Sequence, residues 1–80
     1  MMGILINVKE AQEMEYLLKR ELEELLLDFE DSRIEPVVKR AMEEKYRIVL
    51  GIYRRFASPA ECSRYTKSFR NHYDKQKDHL

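Results

Sequence analysis

Ala11, Met14, Leu18, Leu22, Leu25 and Phe29 recur at steps of three and four, which lays them along one side of an α-helix. The pattern predicts a first helix over residues 8–30. Asn7 followed three residues later by Glu10 has capping-box spacing, and Ile6 is placed to staple onto Ala11. Leu17, Leu26 and Leu27 fall off the main seam, and Tyr16 shares the far side with Leu27. A helix with apolar residues on two sides is expected to meet more than one neighbour. Tyr16, Leu17, Leu26 and Leu27 are therefore the candidate self-assembly residues.

A second helix is predicted over 33–57. Its seam reads Ile34, Val38, Ala41, Met42, Val49, Ile52, Tyr53 and Phe56. Ser32 and Glu35 repeat the capping-box spacing, with Pro36 in the first turn, where a missing N–H matters least. Lys45 sits within the seam and must snorkel out or meet a glutamate of the first helix. A third, shorter helix is predicted over 59–74. Ser58 serves as cap, Pro59 takes the first helical position and Glu61 closes the box. Cys62, Tyr65, Thr66, Phe69 and Tyr73 form its inner face, and residues 75–80 are expected to fray.

Residues 1–7 read as an extended lead-in. Ile4, Ile6 and Val8 alternate as in a strand, but no second β-rich run exists, so a strand here needs a partner chain. The expected fold is all-α: an antiparallel helical hairpin plus a shorter third helix, packed as a three-helix bundle and assembling as a homodimer. Eighty residues form one domain, near the size at which a single core suffices. Two glycines, two prolines and 38% charged residues agree with long helices and short connections.

Charge changes the picture. Fifteen acids balance fifteen Lys and Arg, yet residues 1–44 hold twelve acids against six cations, and residues 45–80 hold three against nine. Such asymmetry suits self-complementarity, an acidic partner or nucleic acid, and exact cancellation favours the first. Arg33, Arg40, Arg47 and Arg54 are seven apart and form a row on the outer face of the second helix, where Glu43 and Glu44 are spaced to pair with Arg47 and Arg40. On the third helix Arg64, Lys67, Asn71 and Lys75 share the outer side, with Arg70 on the flank. Arg47, Arg54, Arg55, Arg64 and Lys67 are the candidate partner or phosphate surface. In the alternative, structural reading, the cations of the third helix meet glutamates of the first.

Little else suggests chemistry. His72, Asp74, Asp78 and His79 lack metal-ligand spacing, so no metal and no cofactor are expected. Cys62 is a lone thiol near a helix start, facing inward, as befits a small apolar side chain in a cytoplasmic protein. Gly51 stands alone in the second helix, as a close helix crossing would require. No segment has the pattern of a signal peptide or membrane span. The function expected from these features is that of a non-enzymatic regulatory or adaptor module acting through protein contacts. The alternative is nucleic-acid binding by the basic faces of the second and third helices.

Overall fold

A computed structural model describes the backbone of residues 1–78 and the side chains of residues 1–72. The described chain is all-helical: α1 spans Val8–Phe29, α2 Pro36–Tyr53 and α3 Pro59–Asp78. Residues 1–7 form an irregular lead-in, and no strand occurs among the described residues. None of the described helices is long and apolar enough to cross a membrane.

The caps explain where each helix begins. Asn7 Oδ1 accepts from the Glu10 N–H at 2.8 Å while Glu10 Oε1 accepts from the Asn7 N–H at 3.0 Å, completing the box foreseen at α1. At its other end, Lys39 Nζ donates to the Phe29 carbonyl at 2.9 Å, placing a cation on the negative pole of the helix. The second start differs from expectation. Ser32 does not cap; Asp31 instead accepts from the Arg33 backbone N–H and from its guanidinium through Nε and Nη2. That brace holds residues 31–33 in a turn, so α2 begins three residues late, at Pro36, without a side-chain cap.

α2 also stops four residues early. Arg55 and Phe56 donate to carbonyls three residues back, which tightens the chain out of the α-helical ladder. The approach to Ser58-Pro59 accounts for this, because a residue preceding proline is pushed out of the α region. Ser58 Oγ then accepts from the Glu61 N–H at 3.3 Å, as expected of its cap. With 20 residues against 18, α3 is longer than α2 rather than the shorter helix foreseen. Its backbone is helical to Asp78, four residues beyond the foreseen end; residues 79 and 80, and the side chain of Tyr73, lie outside the described residues.

All three helices contribute to one core. Leu22, Leu25 and Phe29 meet Tyr46, Val49, Leu50 and Tyr53, with Cys62 and Tyr65 from α3. Rings dominate it. Tyr46 stacks on Phe69 with centroids 4.8 Å apart, and Phe29 leans on Tyr46 at 5.9 Å. Tyr53 meets Tyr65 edge-on at 5.5 Å. Such pairs contribute roughly 0.5–1.5 kcal/mol each beyond their burial.

The apolar positions foreseen for α2 divide into two seams. Met42, Val49 and Tyr53 face the core, joined by Tyr46 and Leu50, which the sequence reading left out. Val38, Ala41 and Ile52 remain exposed on a second stripe with Ile48. Lys45 lies on that outer stripe and reaches Glu21 Oε1 at 2.8 Å, the contact expected of it. Gly51 is exposed, and a Cβ there would meet nothing within 4 Å, so no close crossing explains it.

Candidate functional site

Two surfaces on opposite flanks of α2 hold three of the predicted site residues, Arg54 and Lys67 on one and Leu17 on the other. The first is a groove at the corner where α2 turns into α3. Arg54, Ala57, Pro59, Cys62, Ser63, Thr66, Lys67 and Arg70 line an open space of about 500 Å³. The tight turn after Tyr53 swings Arg54 against α3, where its Nη2 donates to Thr66 Oγ1 at 3.2 Å. Thr66 is itself held, donating to the Cys62 carbonyl at 3.0 Å. Lys67 and Arg70 are three residues apart on the same face of α3. Three cations therefore converge here, and the lining contains no carboxylate.

The arginine row stays exposed, with Arg40 and Arg47 on one face of α2 and Arg54 at its C-cap, but it is one residue shorter on the helix than its spacing predicted. Arg33 precedes the helix and is tied to Asp31. Arg47 lies over the Phe69 ring, 5.3 Å from its centroid, and Arg54 reaches Thr66. Glu43 turns inward to His72 rather than pairing with Arg47. Its Oε1 is 3.9 Å from His72 Nε2, beyond hydrogen-bonding distance, and both side chains are largely buried. His72 stacks on Phe29 at 4.3 Å. Burial depresses the His72 pKa below its ordinary value, and Lys39 adds to this, while Glu43 and Glu30 pull the other way.

Of the remaining candidates, Arg64 lies over the Tyr65 ring at 5.7 Å, and Arg55 is exposed in the turn after α2. The expected meeting of α3 cations with α1 glutamates is replaced by a phenol. Tyr65 Oη donates to Glu23 Oε1 at 2.8 Å, while its own carbonyl accepts from Tyr46 Oη at 2.9 Å. Burial raises the pKa of both phenols; the Glu23 carboxylate adds to this at Tyr65.

The second surface is the outer face of the α1/α2 hairpin. Val38, Ala41, Lys45, Ile48 and Ile52 follow one another at alternating steps of three and four, the spacing of a helix-packing seam. The Glu21–Lys45 ion pair sets the register of the antiparallel pair. Seven residues before Glu21 stands Met14, seven after Lys45 stands Ile52, and Leu17 falls level with Ile48. All four are exposed, Ile48 at 58%.

The four assembly candidates are dispersed. Leu17 joins this outer face. Tyr16 and Leu27 are exposed on the other flank of α1, with Arg20 over the Tyr16 ring at 5.9 Å. Leu26 is partly buried and packs against the core.

Cys62 is buried, its Sγ 3.9 Å from the Ala57 carbonyl. Among the described residues, no three His, Cys, Asp or Glu are grouped to hold a metal ion; His79 and the side chains of Asp74 and Asp78 lie outside them. Sequence reasoning missed Thr66 and Arg70 as groove residues, although the i, i+4 spacing of Thr66 and Arg70 places them on one face of α3. Comparison with protein-family models, with curated proteins and with solved structures finds no match.

Proposed function

We propose that the protein acts without catalysis, as a small regulatory or adaptor module that pairs with a second copy of itself through the outer face of the α1/α2 hairpin. The observation that carries this reading is the second apolar seam of α2, left uncovered beside Met14 and Leu17. Covering a wholly exposed Val, Leu or Ile gains roughly 1.5–3 kcal/mol, and these half-exposed side chains gain a fraction of that each.

Charge complementarity favours a second copy as the occupant. α1 holds seven acids against three cations, whereas residues 36–55 hold six cations against two acids. A two-fold axis that lays α1 of one copy along α2 of the other brings unlike charges together. The result is a four-helix core with α3 outside it. Arg47, Arg54, Arg55, Arg64 and Lys67 stay clear of that core and form the surface left for a further partner. A single cysteine suits a cytoplasmic setting, where thiols stay reduced.

Sedimentation velocity over a concentration series tests the reading. The expected mass is near twice the 9.7 kDa of the chain. Ile48→Glu with Ile52→Glu should return it to a monomer with unchanged helical circular dichroism, and Leu27→Glu should leave the mass alone. A wild-type monomer at every concentration, or a dimer that survives the double substitution, would sink this assignment.

A further inference from the structure

We infer that the α2–α3 corner groove binds the phosphate group of a compact phosphate monoester, a ligand site separate from the self-association face. Its cations come from two elements brought together by the fold: Arg54 from the end of α2, and Lys67 and Arg70 from one face of α3. In a chain with as many acids as bases, a lining of three cations and no carboxylate concentrates positive potential at one place. Arg54 is preoriented by Thr66, so its planar donor fork loses less freedom on meeting an anion. Ser63 adds a hydroxyl, a donor suited to a phosphate oxygen.

Size and layout select the ligand. About 500 Å³ is the space of a small-molecule site, and Ala57, Pro59 and Cys62 give it an apolar wall for the organic part of an ester. An extended nucleic-acid backbone needs cations spread along its path. Here Arg33 precedes α2 and is tied to Asp31, whereas Arg54, Lys67 and Arg70 face one open space. The groove and the outer apolar stripe occupy opposite flanks of α2, so ligand and second copy can be held together.

The test uses the intact chain, titrated at fixed ionic strength with adenosine monophosphate, adenosine, inorganic pyrophosphate and sulfate, read by amide chemical shifts and calorimetry. Saturable binding of the monophosphate and pyrophosphate, with shifts centred on residues 63–70 and none from adenosine, is the expected result. Lys67→Gln with Arg70→Gln should weaken it by roughly a hundredfold, since each lost charge-assisted bond costs about tenfold. These side chains are exposed, so the variant should keep its helical spectrum, and Arg64→Gln, outside the groove, should bind as wild type does. Three outcomes overturn the inference: no saturable phosphate binding, sulfate bound as tightly as the monophosphate, or affinity untouched by the double substitution. A fourth does so by another route. A single-stranded oligonucleotide that binds far more tightly than the mononucleotide, with a steep salt dependence, would make the surface a nucleic-acid contact instead.

Discussion

Tyr46 ties all three helices together. It is wholly buried, its ring lies between Phe29 and Phe69, and its hydroxyl ends on the Tyr65 carbonyl of α3. Tyr46→Phe removes that hydroxyl and keeps the ring. The Tyr65 carbonyl is interior to α3 and still has its place in the helical i→i+4 ladder, so it is not orphaned. The cost should therefore stay near that of one buried bond, about 1 kcal/mol. Tyr46→Ala removes the ring as well, and a buried aromatic cut to alanine costs about 3–5 kcal/mol. A domain of this size has only about 4–12 kcal/mol in total, so the alanine variant should lose about a quarter or more of it.

Urea titration followed by far-ultraviolet circular dichroism measures both. At a slope of about 1 kcal/mol per molar, the phenylalanine variant should lose about 1 M in midpoint with an unchanged slope. Protein concentration must be held constant, because association adds to apparent stability. A phenylalanine variant with the wild-type midpoint, or an alanine variant no worse than it, would refute the claim that this ring and its bond hold α3 in place.

Gly51→Ala should stabilise the protein by about 0.5–1 kcal/mol, because a Cβ there meets open space and the backbone is ordinary helix. A lowered urea midpoint would show that the position is more crowded than it looks. Asn7→Ala should cost about 1 kcal/mol through loss of the bond its side chain accepts from the Glu10 N–H, and faster amide exchange in the first turn of α1 is the readout. His72 is held below its ordinary pKa of 6.5 mainly by burial, so between those two values the unfolded chain binds the proton more readily than the folded one. Stability should thus be full above about pH 6.5 and fall as the pH drops from there toward the folded value. His72→Phe keeps a ring against Phe29 and should flatten melting temperature in that window; a slope that persists assigns the effect to another group.

Local features were the legible ones. The α1 cap, the α1 seam and the Ser58 cap depend on residues three or four apart, and helical geometry alone decides them. The Lys45–Glu21 pair could be foreseen because a charge inside an apolar seam has few places to go. α2 was harder for a physical reason. Two seams run along it, about a third of a turn apart, and the apolar residues of both merge into one list. Tyr46, Leu50 and Tyr53 follow i, i+4, i+7 and could have separated the core seam. The candidate site needed the packing order as well. Glu43 and His72 are far apart in the chain, as are Glu23 and Tyr65, and only the arrival of α3 on one flank of α2 brings them together. The same event draws Arg54, the last of the arginine row, into the wall of the groove.

Cys62 gives this molecule a reporter that needs no engineering. It is the sole thiol in the chain, and it is packed beneath the start of α3. A thiol-reactive dye should modify it slowly in the native state, and the part of that rate that rises with urea, beyond direct access from the groove it lines, reports how often α3 lifts away from the hairpin. The ratio of that rate to the rate in denaturant then yields the free energy of detachment for one helix, while α1 and α2 stay paired. Measured beside the urea midpoint, it tells whether the third helix melts with the hairpin or leaves it first.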